Sequence, residues 1–457
     1  MPVDMTHDNQ LDWDIVVDHL VDALREHDHP GDRLHRIEMP IQPCSIMQWI
    51  VQQAGSQKLY WAERNGTVEV AGIGNAAVLS PDNPNTLDVA DVFAYGRNLL
   101  SPRHKHQRLY GGFSFANTDS EQWKPFGSFR FGAPAIEVGR DGDDYYAACQ
   151  WRSGEDNKEK LIALLESAYL SEWTAQSHTA HHRVDSPTRD EWYIKVEELL
   201  GLFEKGEVDK VVLARESQFF FNDSVDPFSL LQHLRENTSH SYHYAFQVAD
   251  GSTFIGASPE RLFKRDGELL YSEALAATRP RGATLAEDEV LGEELLNTEK
   301  DLHEHILVLD RIVALLNEFC STVSQDREIE VLKLRHCQHL LCKVGGQLIS
   351  TDCDADVLEK LHPTPAVGGT PKESALEWIG KLEDFDRGWY AAPVGWIGND
   401  AAEFAVAIRS ALVQNDIVSV YTGAGIVSGS KPRKEWKEIE NKIADFRVLF
   451  APDASDR

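Results

Sequence analysis

Several residues in this chain have types and spacings that can do chemistry. Lys210 opens Lys210-Val211-Val212-Leu213-Ala214-Arg215, at the mouth of an apolar strand that follows a helix. An amine held in a partly dry place can lose its proton near neutral pH and act as a base. Glu260 lies in Ala257-Ser258-Pro259-Glu260-Arg261, a sharp break at a strand end. A carboxyl there, beside apolar residues, can keep its proton and serve as a general acid. Alone, Lys210 reads as a solvated lysine and Glu260 as a turn glutamate paired with Arg261. They form a base and acid pair only if the fold brings them together.

Asp301 and Glu304 are three apart in 298–305, and Glu435, Glu438 and Lys442 follow one another at i, i+3 and i+7. On helices each set falls on one face. Charged helix faces are ordinarily solvated. Two acidic faces opposed to each other, however, repel unless a hard cation lies between them, and oxygen-only ligation suits Mg²⁺. Zinc fits less well: His303-Glu304-His305 lacks the i, i+4 spacing of two helix ligands, and 335–342, with Cys337, His339 and Cys342, has no paired C-x-x-C. Thr422-Gly423-Ala424-Gly425 follows a strand-like run and can present backbone N–H groups to an anion, but it is not a dinucleotide fingerprint. The proline- and glycine-rich stretch 361–371, which includes Ala366, must follow a special backbone path of the kind that lines sites.

The elements that position these residues are legible in the pattern. Thr188 and Glu191 can form a capping box. Trp192, Val196, Leu199, Leu200 and Phe203 then repeat at helical spacing, and Gly206 can end that helix before the Lys210 strand. Asp250-Gly251 and Asp266-Gly267 each separate strand-like runs, predicting hairpins of 241–248 with 253–257 and of 261–264 with 268–272. Further helices are predicted over 158–175, on Leu161, Leu164, Leu165, Ala168 and Tyr169, and over 434–446. Serial antiparallel strands with long helices between groups predict an α+β fold of two packed antiparallel sheet layers, helices outside. The aperiodic stretch 176–183 divides an N-terminal scaffold part, 1–180, from a catalytic domain, 187–451.

With 457 residues, 42% of them hydrophobic, the chain can bury a large core in one to three domains. Its net charge of −29 argues against nucleic acid or an anionic membrane as partner. There is no secretory signal pattern and no apolar run of membrane-spanning length, and six scattered cysteines suit a reducing compartment, so a cytoplasmic location is expected.

In their order along the chain these segments resemble the chorismate-utilising enzymes, the family of anthranilate synthase component I, aminodeoxychorismate synthase, isochorismate synthase and salicylate synthase. The resemblance covers about 188–450 through Ala257–Arg261, Leu275-Ala276-Ala277-Thr278-Arg279-Pro280-Arg281-Gly282, 300–305, 362–371, Arg387-Gly388-Trp389-Tyr390 and 423–442. Before that it is loose, through Tyr110-Gly111-Gly112-Phe113-Ser114-Phe115. It implies Mg²⁺ held by Glu304, Glu435 and Glu438, with the shorter Asp301 ligating through water. It also implies that Lys442 contacts the ring carboxylate of chorismate, that Arg409 and Tyr390 hold the enolpyruvyl carboxylate, and that His339, Thr278, Ala366, Gly423 and Gly425 surround the substrate.

Single positions then separate the members. Amine-transferring members usually have glutamine at Lys210, and a lysine nucleophile, where used, falls at Ala276. Salicylate synthases tend to have threonine at Ala366. The resemblance therefore implies an isomerase most like the menaquinone-type isochorismate synthases, serving menaquinone or siderophore biosynthesis. Salicylate synthase is the alternative, and anthranilate-like amination a more distant one. The implied mechanism has Lys210 deprotonate water as it attacks C2 while Glu260 protonates the departing C4 hydroxyl. A monomer without an amidotransferase subunit is expected. One departure is Ala277, where the family usually has glycine.

Overall fold

The Arg189–Lys205 helix forms as its sequence dictates: Thr188 and Glu191 complete a capping box, and Gly206 closes the helix at φ 70°, in the left-handed region. Trp192, Val196, Leu199 and Leu202 make its buried stripe. The structure, a computed structural model, describes residues 8–27, 31, 33–55, 57–81, 88–116, 120–153, 155–169, 173–335 and 337–450, leaving out the side chains of 8–12, 155, 156, 300 and 304. Glu304 therefore lies, as a side chain, outside the described residues.

Among these residues the strands form two antiparallel sheets, of twelve and ten strands, as the alternation predicts. Both hairpins are present, as Tyr242–Gln247 with Thr253–Ser258 and Arg261–Asp266 with Leu269–Pro280. The 158–175 helix is shorter than its period suggests and spans Glu155–Ser167. Beyond it the Ala168 carbonyl accepts from Trp13 Nε1, and both backbone groups of Tyr169 bond the side-chain amide of Gln53, so side chains take the groups that would have continued the helix. The 434–446 prediction resolves into two helices, Pro432–Lys442 and Ala444–Leu449.

Strands from before and after residue 187 share both sheets. Lys58–Ala62 pairs with Tyr242–Gln247 in the larger, and Arg108–Phe113 with Pro393–Gly398 in the smaller. The main core fills the space between the sheets, with Trp61, Tyr244, Phe254 and Tyr421 from one meeting Phe113, Phe263, Trp396 and Phe404 from the other. A second apolar layer, including Ile255 and Val418, lies between the larger sheet and helices such as Pro227–Asn237.

The 362–371 stretch is tied to the Lys210 strand by one buried cation. Arg387 donates to the carbonyls of Val367 at 2.9 Å and Val212 at 2.7 Å, and pairs with Glu383 at 2.6 Å. Glu383 in turn accepts from the Ala214 N–H at 2.8 Å. The guanidinium thus satisfies two loop and strand carbonyls that have no other route to water. Replacing it by methionine, which keeps the bulk, leaves a buried carboxylate uncompensated and is expected to cost about 3–5 kcal/mol in chemical denaturation. Adding Glu383→Gln should recover part of that loss, and a cost near zero for Arg387→Met would remove the clamp from this account.

Candidate active site

The Lys210–Phe220 strand runs antiparallel to Ile417–Val427, so that Val212 lies opposite Gly425 and Ala214 opposite Gly423. Residues two apart on a strand share a face, and here the shared face needs glycine. A Cβ on Gly425 would sit 2.8 Å from Lys210 Cε, and one on Gly423 2.9 Å from the Tyr390 hydroxyl. The two glycines thus make room for a lysine and a tyrosine. Lys210 is half-buried at the strand mouth, beside the short Gly369–Thr370 strand. Tyr390 is buried and stacked on Tyr421, with centroids 5.5 Å apart. Ala366 lies just before that short strand, in a turn where its N–H donates to Thr364 Oγ1 at 3.3 Å.

Glu260 follows the Thr253–Ser258 strand, and its backbone is pinned. Its N–H donates to Ser258 Oγ at 3.2 Å, its carbonyl accepts from Val406 N–H at 3.1 Å, and Ser258 Oγ donates to the Val406 carbonyl at 2.6 Å. The residue is 8% exposed. Burial raises its carboxyl to about 7, with the charge of Glu273 adding to the rise and those of Lys210, Arg64 and Lys442 opposing it. The acid and base of the sequence reading therefore share one electrostatic environment, joined by Lys442.

Lys442 is the last residue of the Pro432–Lys442 helix. Its Nζ donates to the Gly423 carbonyl at 2.9 Å and pairs with Glu438 at 2.8 Å. One turn back, burial raises the Glu435 carboxyl; a hydrogen bond from Ser430 opposes the rise and the charge of Glu438 adds to it. The far face of the same helix is anchored by residues the sequence reading missed. Glu440 accepts from Arg215 at 2.6 Å and Arg183 at 2.7 Å, and Arg215 lies over the Trp436 ring. Their signal is faint in sequence, since the partners are more than two hundred positions apart.

A third group surrounds His339. Burial, then the charges of Arg409 and Lys442, lower its ring to about 3, so it is neutral at physiological pH. Nδ1 donates to the Ala277 carbonyl at 3.3 Å and lies 3.0 Å from Thr278 Oγ1. Nε2 is then an acceptor, placed 3.2 Å from the Cys337 sulfur, which itself accepts from Arg409 Nη2 at 3.2 Å. The cysteine and histidine that suggested zinc are thus links in a hydrogen-bond chain. Ala277 sits at φ 59°, at a register shift of its strand between Ala276 and Thr278. A left-handed backbone is a stronger reason for glycine at this place than close approach to a ring.

Asp301, on the Glu299–Phe319 helix, is buried and pairs with Arg279 at 2.5 Å. Among the described residues no three His, Cys, Asp or Glu side chains are grouped to hold a metal ion. Glu435 and Glu438 remain a two-carboxylate donor set, hard, partly buried and mutually repelling, of the kind that suits a divalent cation. Seen whole, the cluster joins a pinned carboxylic acid, an amine, further cations and a neutral imidazole, a combination fitted to moving protons on an anionic substrate.

Comparison with known proteins agrees with this chemistry. The chorismate binding enzyme family matches residues 20–449. The isochorismate synthase MenF of Bacillus subtilis is 31% identical over 423 residues, covering 88% of this chain and 90% of that protein. MenF of Haemophilus influenzae is 37% identical over 424 residues, covering 92% and 93%. The solved structure of MenF, the menaquinone-specific isochorismate synthase from Escherichia coli, superposes with a TM-score of 0.87 at 27% identity, covering 96% of this chain and all of that one (100%). With a family match that spans both sheets and every part of the site just described, the chain belongs to the chorismate binding enzymes.

Proposed function

We propose that this chain is an isochorismate synthase that converts chorismate to isochorismate by adding water at C2 with loss of the C4 hydroxyl. The observation that carries this reading is Glu260, a pinned, buried acid with its carboxyl near 7, in the field of Lys210. Ammonia is already a nucleophile and needs no base, whereas water does. Lys210 takes a proton from the incoming water, the ring double bonds shift, and Glu260 delivers its proton to the departing hydroxyl, which leaves as water. Lys442 and Arg409 meet the substrate carboxylates, and Tyr390, His339 and Thr278 complete the wall. The alanine at 366 and the similarity to MenF over nearly the whole chain support a reaction that stops at isochorismate and serves the menaquinone route.

Glu435 and Glu438 would hold Mg²⁺, with Glu304 the further ligand that family resemblance implies. Asp301, paired with Arg279, would take part only through water. When bound, the ion would neutralise and orient the ring carboxylate. Six free thiols and, among the described residues, no helix long and apolar enough to cross a membrane are in keeping with a cytoplasmic enzyme, for which a monomer is the proposed state.

Chorismate incubated with the enzyme and Mg²⁺ should give isochorismate by chromatography, with no salicylate fluorescence and no anthranilate on adding ammonium. Lys210→Ala and Glu260→Gln should each lower kcat by about 100-fold or more. Because Glu260 works protonated, kcat/KM should fall as pH rises through about 7, and this limb should be absent in Glu260→Gln. Near wild-type rates in both variants would refute the assignment. Gly425→Ala meets only the flexible end of Lys210, so it should fold normally yet lose about 100-fold in kcat through displacement of the amine. Chelation by EDTA should abolish turnover and Mg²⁺ restore it. Glu435→Gln and Glu438→Gln should each raise the Mg²⁺ concentration for half-activation about tenfold, and should blunt the rise in Tm that Mg²⁺ gives the wild type.

A further inference from the structure

We propose that Arg64 and Glu273 are positioning residues for Glu260, an ion pair through which the N-terminal part of the chain holds the catalytic acid. This rests on the reading of Glu260 as the acid. Arg64 lies in the turn after the Lys58–Ala62 strand. Its Nη1 donates to the Pro259 carbonyl at 2.8 Å and to Glu273 Oε1 at 2.5 Å, and its Nη2 donates to Glu273 Oε2 at 2.7 Å. Glu273 Oε1 also accepts from the Arg261 N–H at 3.1 Å. The carbonyl before Glu260 and the amide after it are therefore held by one bidentate pair. The pair is desolvated, with side-chain exposures of 11% for Arg64 and 0% for Glu273.

The side chain of Arg261 is hydrogen-bonded elsewhere, to the Tyr242 hydroxyl at 2.9 Å and to Glu403 at 3.1 Å, and reaches Glu273 only at 4.0 Å. It does not duplicate the fork of Arg64. Charged groups face Glu260 from each element packed on it: Glu273 from the Leu269–Pro280 strand, Arg64 from the N-terminal part, Lys210 from the mouth of its own strand and Lys442 from the late helix. Arg261 and Arg311 line the small cavity at its foot, with Ser272 and Thr364. Of these, Glu273 and Arg64 act on the carboxyl with opposite sign while bonding each other, so the intact pair holds the acid in place with part of the Glu273 field offset. Separating the partners exposes each field in turn.

The test is the pH dependence of kcat/KM in Glu273→Gln, Arg64→Met and Arg64→Lys. Glu273→Gln keeps an acceptor for the Arg261 N–H but loses the charge. Its high-pH limb should move down by about 0.5 unit or more, a shift of the size one nearby charge gives in a partly screened site. Arg64→Met should move the limb up by a similar amount. Arg64→Lys keeps the charge without the fork, so its limb should stay in place while kcat drops about tenfold with little change in KM, as for a misplaced group. Limbs that remain at the wild-type pH, or move in the same direction in Glu273→Gln and Arg64→Met, would overturn the proposal. If Arg64→Met fails to fold by circular dichroism, the other two variants decide. A wild-type limb that persists in Glu260→Gln would instead sink the acid assignment itself, a separate result.

Discussion

Burial of a single carboxyl is the constraint around which this molecule is arranged. A glutamate held away from water keeps its proton to about pH 7 only while nearby cations do not draw it into ionisation. Yet an anionic substrate needs those cations close by. The structure meets both demands by balance. Glu273 sets a negative charge against Lys210, Arg64 and Lys442, and the backbone of Glu260 is fixed so that distance, on which the balance depends, does not drift. Because the groups come from four well-separated stretches of chain and from both sheets, the site exists only when the whole double layer is assembled.

Backbone pairing is what makes that assembly accurate. The eleven-residue register between Lys210–Phe220 and Ile417–Val427 fixes where Lys210 stands relative to Gly423 and Gly425. A slip of one residue would turn the glycines to the other face, and side chains would then meet Lys210 and Tyr390. The late helix is set by both strands of this pair, since Arg215, five residues past Lys210, reaches Glu440 while Lys442 reaches back to Gly423. Lys210, Glu435, Glu438 and Lys442 are thus all referred to one strand pair.

Local patterns made much of this legible in the sequence. The capping box at Thr188, both Asp-Gly hairpins and the strand beginning at Lys210 stand where periodicity and turn chemistry put them. Local patterns also misled where a distant side chain intervened: Gln53 and Trp13 end the helix that the apolar stripe through Tyr169 would have continued. Ordered motifs brought Lys210, Glu260, His339, Arg409 and Lys442 into one list, and the fold brings them into one region. Arg64 and Arg183 left no such trace, and Arg215 and Arg279, though inside patterned segments, gave no sign of what they pair with. Each is an arginine whose meaning lies wholly in its partner, Glu273, Glu440 or Asp301, and partners far apart in sequence have no spacing to read. The left-handed Ala277 was visible only as an odd residue in a motif; its cause is a strand irregularity, which no single sequence displays.

The acidity of the chain bears on the same balance. A net charge of −29 opposes the approach of any polyanion, so attraction must be local and strong. The cations at the site are accordingly not spread over the surface. Lys210 stands at a strand mouth, Arg409 is mostly buried and held by Cys337, and Lys442 is tethered to a carbonyl. Partial burial of Lys210 and Arg409 strengthens their interaction with a bound carboxylate and shields it from salt. Glu438 at 2.8 Å and the Gly423 carbonyl at 2.9 Å together hold the Lys442 ammonium in position, so that this cation is ordered before any anion arrives.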